Sequence, residues 1–404
     1  MRRRDVTRTL LASAAGLGAG ANARPETCPV PCFSRTKAEI SAGVEPSLLI
    51  YTASPRVDPR RYGAQGDGKK DDTQAMQAAL NVAQAGNGRL IIPEDFRMLC
   101  GPLSLTISGL DALTNSLSVE GVSMAGSRIL AKPGLTTPLL TLKSSHPATL
   151  LQPAQLVLEN FSLHSPSNAK TAGGHGLSLQ GLGWARLSGL QIVGFDTGLE
   201  MINSLCTLID QQCQLNSNNT GLGISRLGGA QAPQTANLIT VDHCRLSANT
   251  KWGINFGGGS QFVMRGCNLE ENGERGKAAS GALLTGSDLA GNFGLARIEL
   301  YENWLEANYG QSIRILPLDA GLLTVSIEGG QVIASEHGQA LLIGSSATPV
   351  HQVMLKNLYS PSPADTWQIN ATYLTLINTL AAKLSINASH RTYINALSSS
   401  GLLA

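Results

Sequence analysis

Three stretches, "VDHCRLSAN" (Val241–Asn249), "MRGCNLEEN" (Met264–Asn272) and "LYENWLEAN" (Leu300–Asn308), repeat one pattern in different letters. "LENFSLHSP" (Leu158–Pro166), "LSGLQIVGF" (Leu187–Phe195), "DQQCQLNSN" (Asp210–Asn218) and "IEGGQVIAS" (Ile327–Ser335) align with them. The alignment puts Phe161, Leu190, Cys213, Cys244, Cys267, Asn303 and Gly330 in one column, at intervals of 29, 23, 31, 23, 36 and 27 residues. Three positions earlier stand Leu158, Leu187, Asp210, Val241, Met264, Leu300 and Ile327. Asp210 alone is polar there, and its neighbour Ile209 is expected to take the inward slot. Two positions after the column, every repeat is aliphatic. Five positions after it, Asn218, Asn249, Asn272 and Asn308 recur.

Repeats of this length mark stacked supersecondary units, none of which buries its apolar face alone. The inward residues alternate over three to six positions, too short for amphipathic helices. The fold class that follows is all-β: a parallel β-helix whose coils stack at about 4.8 Å. Successive asparagines suit stacked turns, because Asn tolerates a left-handed backbone and its amide can bond the copy one rung away. The three column cysteines then read as a ladder of buried thiols.

The chain has 404 residues, 44 of them glycine, with 14% charged and 42% hydrophobic residues. That composition is too apolar for disorder and rich in turns. "MRRRDVTRTL" is followed by a short Gly/Ala-rich run ending in Ala21-Asn22-Ala23, so residues 1–23 read as an export signal. The Arg3-Arg4 pair is of the twin-arginine type. Removing residues 1–23 leaves 26 basic and 27 acidic residues, a net charge of −1 instead of +2. The basic balance therefore belongs to the signal and gives no support for nucleic-acid binding. No apolar run reaches the roughly 20 residues of a membrane span. An exported protein, periplasmic or secreted, is expected. In "CPVPC", Cys28 and Cys32 could bridge in an oxidising compartment; without a second pair or a nearby His they are a weak metal signal. The organisation expected is the signal, a linker over 24–55, and one domain over 56–404 with a cap at 61–96 and coils at about 97–380.

The cap carries a resemblance. "YGAQGDGKKDDTQAMQAALNVAQAGNGRLIIPEDF" (Tyr62–Phe96) is similar to the N-terminal segment of the pectate-lyase-like superfamily, a G-A-x-G-D-G-x-x-D-D-T pattern followed by a helix. Gly63, Gly66, Asp67, Gly68, Asp71, Asp72 and Thr73 match it; Asp95-Phe96 departs from the usual Gly and aromatic. The resemblance implies a right-handed parallel β-helix with an N-terminal capping helix and a carbohydrate polymer as substrate or ligand. It does not fix a reaction. The residues themselves support a structural role. Gly66 and Gly68 suit turns around Asp67, and Asp71 or Asp72 can cap the helix that Thr73 begins. Neither a calcium loop nor a phosphate loop has its ligands here.

Chemistry is sought on the coils. Glu270 and Glu306 occupy equivalent positions, so adjacent coils would set them about one strand spacing apart, near the ~5–5.5 Å of a retaining glycosidase pair. Glu302 is a third acid nearby. A lyase would need a base and a cation for the uronate carboxylate, and Asp242, Arg265 and Tyr301 fall in one column, with His243, Arg245 and Lys251 on the same coils. Trp304, one past the reference column, is expected to face outward and stack on a sugar ring. No cofactor is implied, and calcium would enter only with a lyase, for which no Asp cluster stands out. The "GGHG" at Gly173–Gly176 reads as a coil turn. Two long excursions, Ser225–Asn237 and Gly273–Gly294, are placed to wall a groove. A non-catalytic binding or tailspike-like adhesion protein remains the alternative to an enzyme.

Overall fold

The computed structural model describes residues 33–402, apart from 52–55, 87, 108–115, 146–154, 167–172, 226–236, 258, 278–279, 286–296, 318–322, 334–338, 361–364, 382 and 399–400. The segment expected as an export signal and the Cys28–Cys32 pair lie outside these residues, as do most of the first excursion and half of the second.

Each coil contributes up to three strands, most of them short, and the coil strands pair in parallel with their equivalents on neighbouring coils, the C-terminal Leu397–Ser398 and Gly401–Leu402 alone pairing antiparallel among the described residues. One ladder runs through Leu177–Gln180, Thr197–Ile202, Thr220–Ser225 and Trp252–Phe256. A second runs through Trp184–Ser188, Leu205–Asp210, Asn237–Asp242, Gln261–Arg265 and Arg297–Tyr301. A third is built of three-residue strands, Gln191–Val193, Gln214–Asn216, Asn268–Glu270 and Trp304–Glu306, and single bridges at Arg245 keep it continuous. The strand Thr366–Ile377 pairs with both the first and the second ladder, so the two merge near the end of the chain. This is the right-handed parallel β-helix expected.

Stacking sets the core. Leu158, Leu187, Ile209, Val241, Met264, Leu300 and Ile327 are consecutive partners in the second ladder, and all are buried. Each fully buried aliphatic side chain of this kind contributes about 1.5–3 kcal/mol. Ile209 takes the slot that alignment gave to Asp210, because Gln211 and Gln212 both adopt positive φ and the corner there holds one extra residue. In most other coils the corner between the second and third ladders is a single left-handed residue, as at Gly189, His243, Gly266 and Glu302, while one later corner is a left-handed pair that Gly329 begins. Gly330 follows directly, at positive φ, where a Cβ would come 2.2 Å from the Asn303 carbonyl oxygen. Asn378 and Asn395 repeat the same corner, so the coils continue past 380.

The asparagine ladder is buried and closed. Asn249 donates through Nδ2 to Asn272 Oδ1 at 2.9 Å and to the Leu215 carbonyl at 2.9 Å; Asn272 repeats this on Asn308 at 2.9 Å and Leu246 at 2.8 Å. The left-handed residues are their predecessors Ser217, Ala248, Glu271 and Ala307, not the asparagines. Their role is amide bonding alone. In the cysteine column, Cys213, Cys244 and Cys267 are buried free thiols. Asn303 follows them, accepting from the Cys267 amide at 3.0 Å.

At the N-terminal end the helix α2 (Thr73–Ala85) buries Ala75, Met76, Ala79, Leu80, Val82 and Ala83 over the first coil. The segment expected as a linker holds the short helix α1 (Lys37–Ser41), started by a Thr36–Glu39 capping box. Glu39 and Arg61 form a fully buried ion pair, and Arg61 also donates to the carbonyls of Ser34 at 3.1 Å and Tyr51 at 2.5 Å. A buried pair of this kind holds because its remaining donors are satisfied.

Candidate functional site

The outer face of the third ladder carries the expected pair of carboxylates, Glu270 and Glu306. Along Asn268–Leu269–Glu270 and Trp304–Leu305–Glu306 the leucines point inward and are buried, so the flanking residues face out. Glu270 and Glu306 are direct register partners on adjacent rungs, as are Asn268 and Trp304. Glu270 accepts from Asn268 Nδ2 at 2.8 Å and lies 3.5 Å from Arg245 Nη2, one rung away. Glu306 accepts from the Trp304 indole Nε1 at 2.7 Å. Trp304 is 44% exposed. The expected pair, its tryptophan and Arg245 are thus brought together on one open face, with each carboxylate held by the residue two positions earlier on its strand.

The remaining candidates lie around the corner from that face. Asp242, Arg265, Tyr301 and Glu328 stack in register at the end of the second ladder. Asp242 bonds His243 Nδ1 at 2.9 Å, and Arg265 sits 5.8 Å from the centre of the Tyr301 ring. Burial first, then the charge of Glu299, pushes the Tyr301 phenol above its ordinary value. His243 and Glu302 occupy the left-handed corner itself, on either side of Gly266; a Cβ on that glycine would lie 3.0 Å from His243 Nε2. Lys251 stands on the far side of the asparagine ladder, next to Trp252, away from the glutamates.

The cap residues make contacts among themselves and to the first coils. Asp72 stands at the N-cap of α2 but makes no side-chain cap bond; it accepts instead from the amides of Gln65 at 2.8 Å and Gly66 at 2.9 Å. Asp71 accepts from the Thr73 amide at 3.1 Å and pairs with Lys132, which holds its carboxyl down to about 2, the Lys132 bond being the largest cause. Thr73 Oγ1 accepts from the Gly101 amide at 2.7 Å. Asp67 closes a turn on the amides of Lys69 and Lys70, both at 2.8 Å. Gly66 has φ +64, and a Cβ there would overlap the Phe96 ring at 2.1 Å. Asp67–Asp71 is itself a strand, pairing with Phe96–Cys100 as the first rung of the third ladder.

Two features escaped the sequence reading. His175 of the "GGHG" turn places Nε2 3.5 Å from Glu200 Oε1, and the other Glu200 oxygen accepts from Ser178 Oγ at 2.9 Å. On the second ladder, a groove of about 510 Å³ opens around Trp184, which is 47% exposed. The signal for that groove was the alternation in "WARLS", which turns Ala185 and Leu187 inward and therefore Trp184 and Arg186 outward. Among the described residues no three His, Cys, Asp or Glu side chains are grouped to hold a metal ion.

No family model and no curated protein matches this sequence. Solved structures do share the fold. The tailspike of Acinetobacter phage vb_AbaP_AS12 is 11% identical with a TM-score of 0.59, over 89% of this chain and 66% of that one. A hyperthermoactive exopolygalacturonase from Thermotoga maritima is 12% identical with a TM-score of 0.54, over 91% and 96%. The catalytic unit of a thermostable GH87 α-1,3-glucanase from Streptomyces thermodiastaticus is 17% identical with a TM-score of 0.52, over 86% and 70%. Against ORF18 of Geobacillus virus E2, 14% identical with a TM-score of 0.52, this chain spans 61% of the other's length.

Proposed function

We propose that this chain is an exported protein, periplasmic or secreted through a twin-arginine signal, that hydrolyses a polysaccharide on the outer face of the third ladder. The carrying observation is the register pairing of Glu270 with Glu306 beside the half-exposed indole of Trp304. Adjacent rungs put equivalent residues about 4.8 Å apart, close to the ~5–5.5 Å between the carboxyl groups of retaining glycosidases. One carboxyl group protonates the departing glycosidic oxygen while the other takes the anomeric carbon; water then releases the sugar with inversion at each step and net retention. Trp304 supports the sugar ring next to Glu306, and Arg245 and Asn268 orient Glu270. The substrate class follows the company the fold keeps, an exopolygalacturonase and an α-1,3-glucanase among its structural neighbours. No cofactor belongs to the proposal.

Elimination is the weaker reading. Its base candidate, Tyr301, is raised by burial and by Glu299, which favours the neutral phenol over the phenolate a proton abstraction needs. Binding without turnover is the second reading, favoured by the hydrogen bonds that already occupy both carboxylates. A panel of uronate-containing and neutral polysaccharides separates the three. Hydrolysis yields reducing ends without absorbance near 235 nm, elimination yields both (an assay wavelength of about that value reports the product of α-proton removal), and a binding module yields neither while retaining affinity.

A further inference from the structure

The Trp184 groove has no part in that chemistry. It crosses four consecutive rungs of the second ladder, from Gln155 to Thr240, and its volume of about 510 Å³ is within the ~300–1,000 Å³ usual for ligand sites. Its walls are large apolar side chains left in solvent: Trp184 is 47% and Leu238 42% exposed. Two of its residues on successive rungs, Cys206 with φ 28 and Leu238 with φ 53, hold left-handed backbones that neither side chain favours. Both lie within strands, unlike the left-handed residues at the coil corners, and so shape the face of the ladder itself. Burial raises the Cys206 thiol, so it serves as wall and not as nucleophile.

The lip is polar. Gln155 and Thr240 stand at its two ends, and Arg186 lies 3.2 Å from Asp210, the residue whose column position is taken on later coils by Asp242, Arg265 and Tyr301. Arg186 of the groove is thus tied to the column of residues that ends beside the corner leading to the acidic face. An indole platform with hydrogen-bonding groups at its edge suits the C–H face of a sugar. The aliphatic wall of Leu208 and Leu238 narrows the class. A hydroxymethyl group pressed there would lose its water partners without replacement, whereas a methyl group loses nothing.

We propose that the Trp184 groove binds a methyl-bearing sugar unit, 6-deoxy or acetylated, of the polysaccharide handled by the acidic face; the inference rests on the polysaccharide reading above. Calorimetric titration of the full chain with two matched pairs tests it: methyl α-L-rhamnoside against methyl α-L-mannoside, and chitotetraose against cellotetraose. The first pair isolates a 6-deoxy methyl, the second an acetyl. The methyl-bearing member of one pair should bind about tenfold tighter than its partner, the discrimination an apolar pocket gives for such a group. Trp184→Ala should remove that preference. Leu238→Asn should also remove it without unfolding the protein, since Asn accepts the positive φ that Leu238 holds. Glu270→Gln should leave it intact, so inactivity on polysaccharides would sink the acidic face without touching this result. Equal binding within both pairs, no binding to any probe, or a preference that survives both groove substitutions overturns the proposal. So does tighter binding of sodium decanoate than of any sugar, which would mark an acyl-chain groove.

Discussion

Asn272 and Glu270 stand two residues apart on the same coil and obey opposite rules. Asn272 is fully buried, gives two side-chain hydrogen bonds and receives two, and is repeated as Asn on the rungs either side. Glu270 faces out, is repeated as Glu on one side only, and has Ser247 in the equivalent position on the other. Inside the solenoid, a side chain must match the copies above and below, since an unmatched buried amide has no water to turn to. Outside, solvent satisfies whatever stands there, and each rung is free to differ. Identity between rungs therefore reports packing. A polar identity on the outside has no such packing cause; Glu270 and Glu306 share one, as Glu120 and Glu159 do on the second ladder, and the Trp304 indole bonded to Glu306 is what sets the first pair apart.

The contrast can be broken from the inside first. Asn272→Ala removes both donations and the acceptor shared by the Asn249 amide N–H and Nδ2, while Asn308 Oδ1 keeps the Asn272 N–H; with about 1–3 kcal/mol for each buried group left unpaired, a loss of roughly 3–5 kcal/mol is expected in urea unfolding. A loss below about 1 kcal/mol would mean that the ladder is not closed as described. On the outside the same kind of truncation should be silent for stability. Trp304→Ala should leave the unfolding midpoint in place and raise KM for polysaccharide about tenfold, the scale of one lost stacking platform. A shift in the midpoint with KM unchanged would return Trp304 to a packing role. The smallest effect belongs to the cap. Asp71, depressed to about 2 by Lys132 and Thr73, stabilises the fold above its ordinary pKa near 3.8, and that contribution disappears as the pH falls through about 2. The pair is exposed, so Asp71→Asn should cost only a few tenths of a kcal/mol at neutral pH and progressively less as the pH falls through about 2, and salt should shrink the difference. A deficit that persists undiminished at the acid end would show that the carboxylate charge is not its source.

The same rule explains what could be read in advance. Leu158 through Ile327, the cysteine column and the asparagines were legible because stacking forces like on like. The substitution of Ile209 for Asp210 was legible for the same reason, while the extra left-handed residue at Gln211–Gln212 that causes it was not. The left-handed positions were misplaced by one because Ser217, Ala248, Glu271 and Ala307 share no chemistry that marks them. The Glu39–Arg61 pair joins residues with no periodic relation, and which of Asp71 and Asp72 would turn toward the helix was left open by the sequence, local geometry giving the Thr73 amide to Asp71 and the Gln65 and Gly66 amides to Asp72. The Trp184 groove depends on outward residues of four coils that differ at every rung, together with two strained backbones, and no repeat announces it.

The central claim is that Glu270 and Glu306 act as one unit on a glycosidic bond. Turnover of the polysaccharide that the wild-type chain degrades should be measured for Glu270→Gln, Glu306→Gln and the double variant, with unfolding midpoints as control. Groups that share one transition state are strongly non-additive, so each single change should cost about 10³-fold or more and the double little beyond that. Wild-type turnover in either single variant, or losses that simply multiply in the double, would contradict the pairing of these two carboxylates as the seat of the reaction.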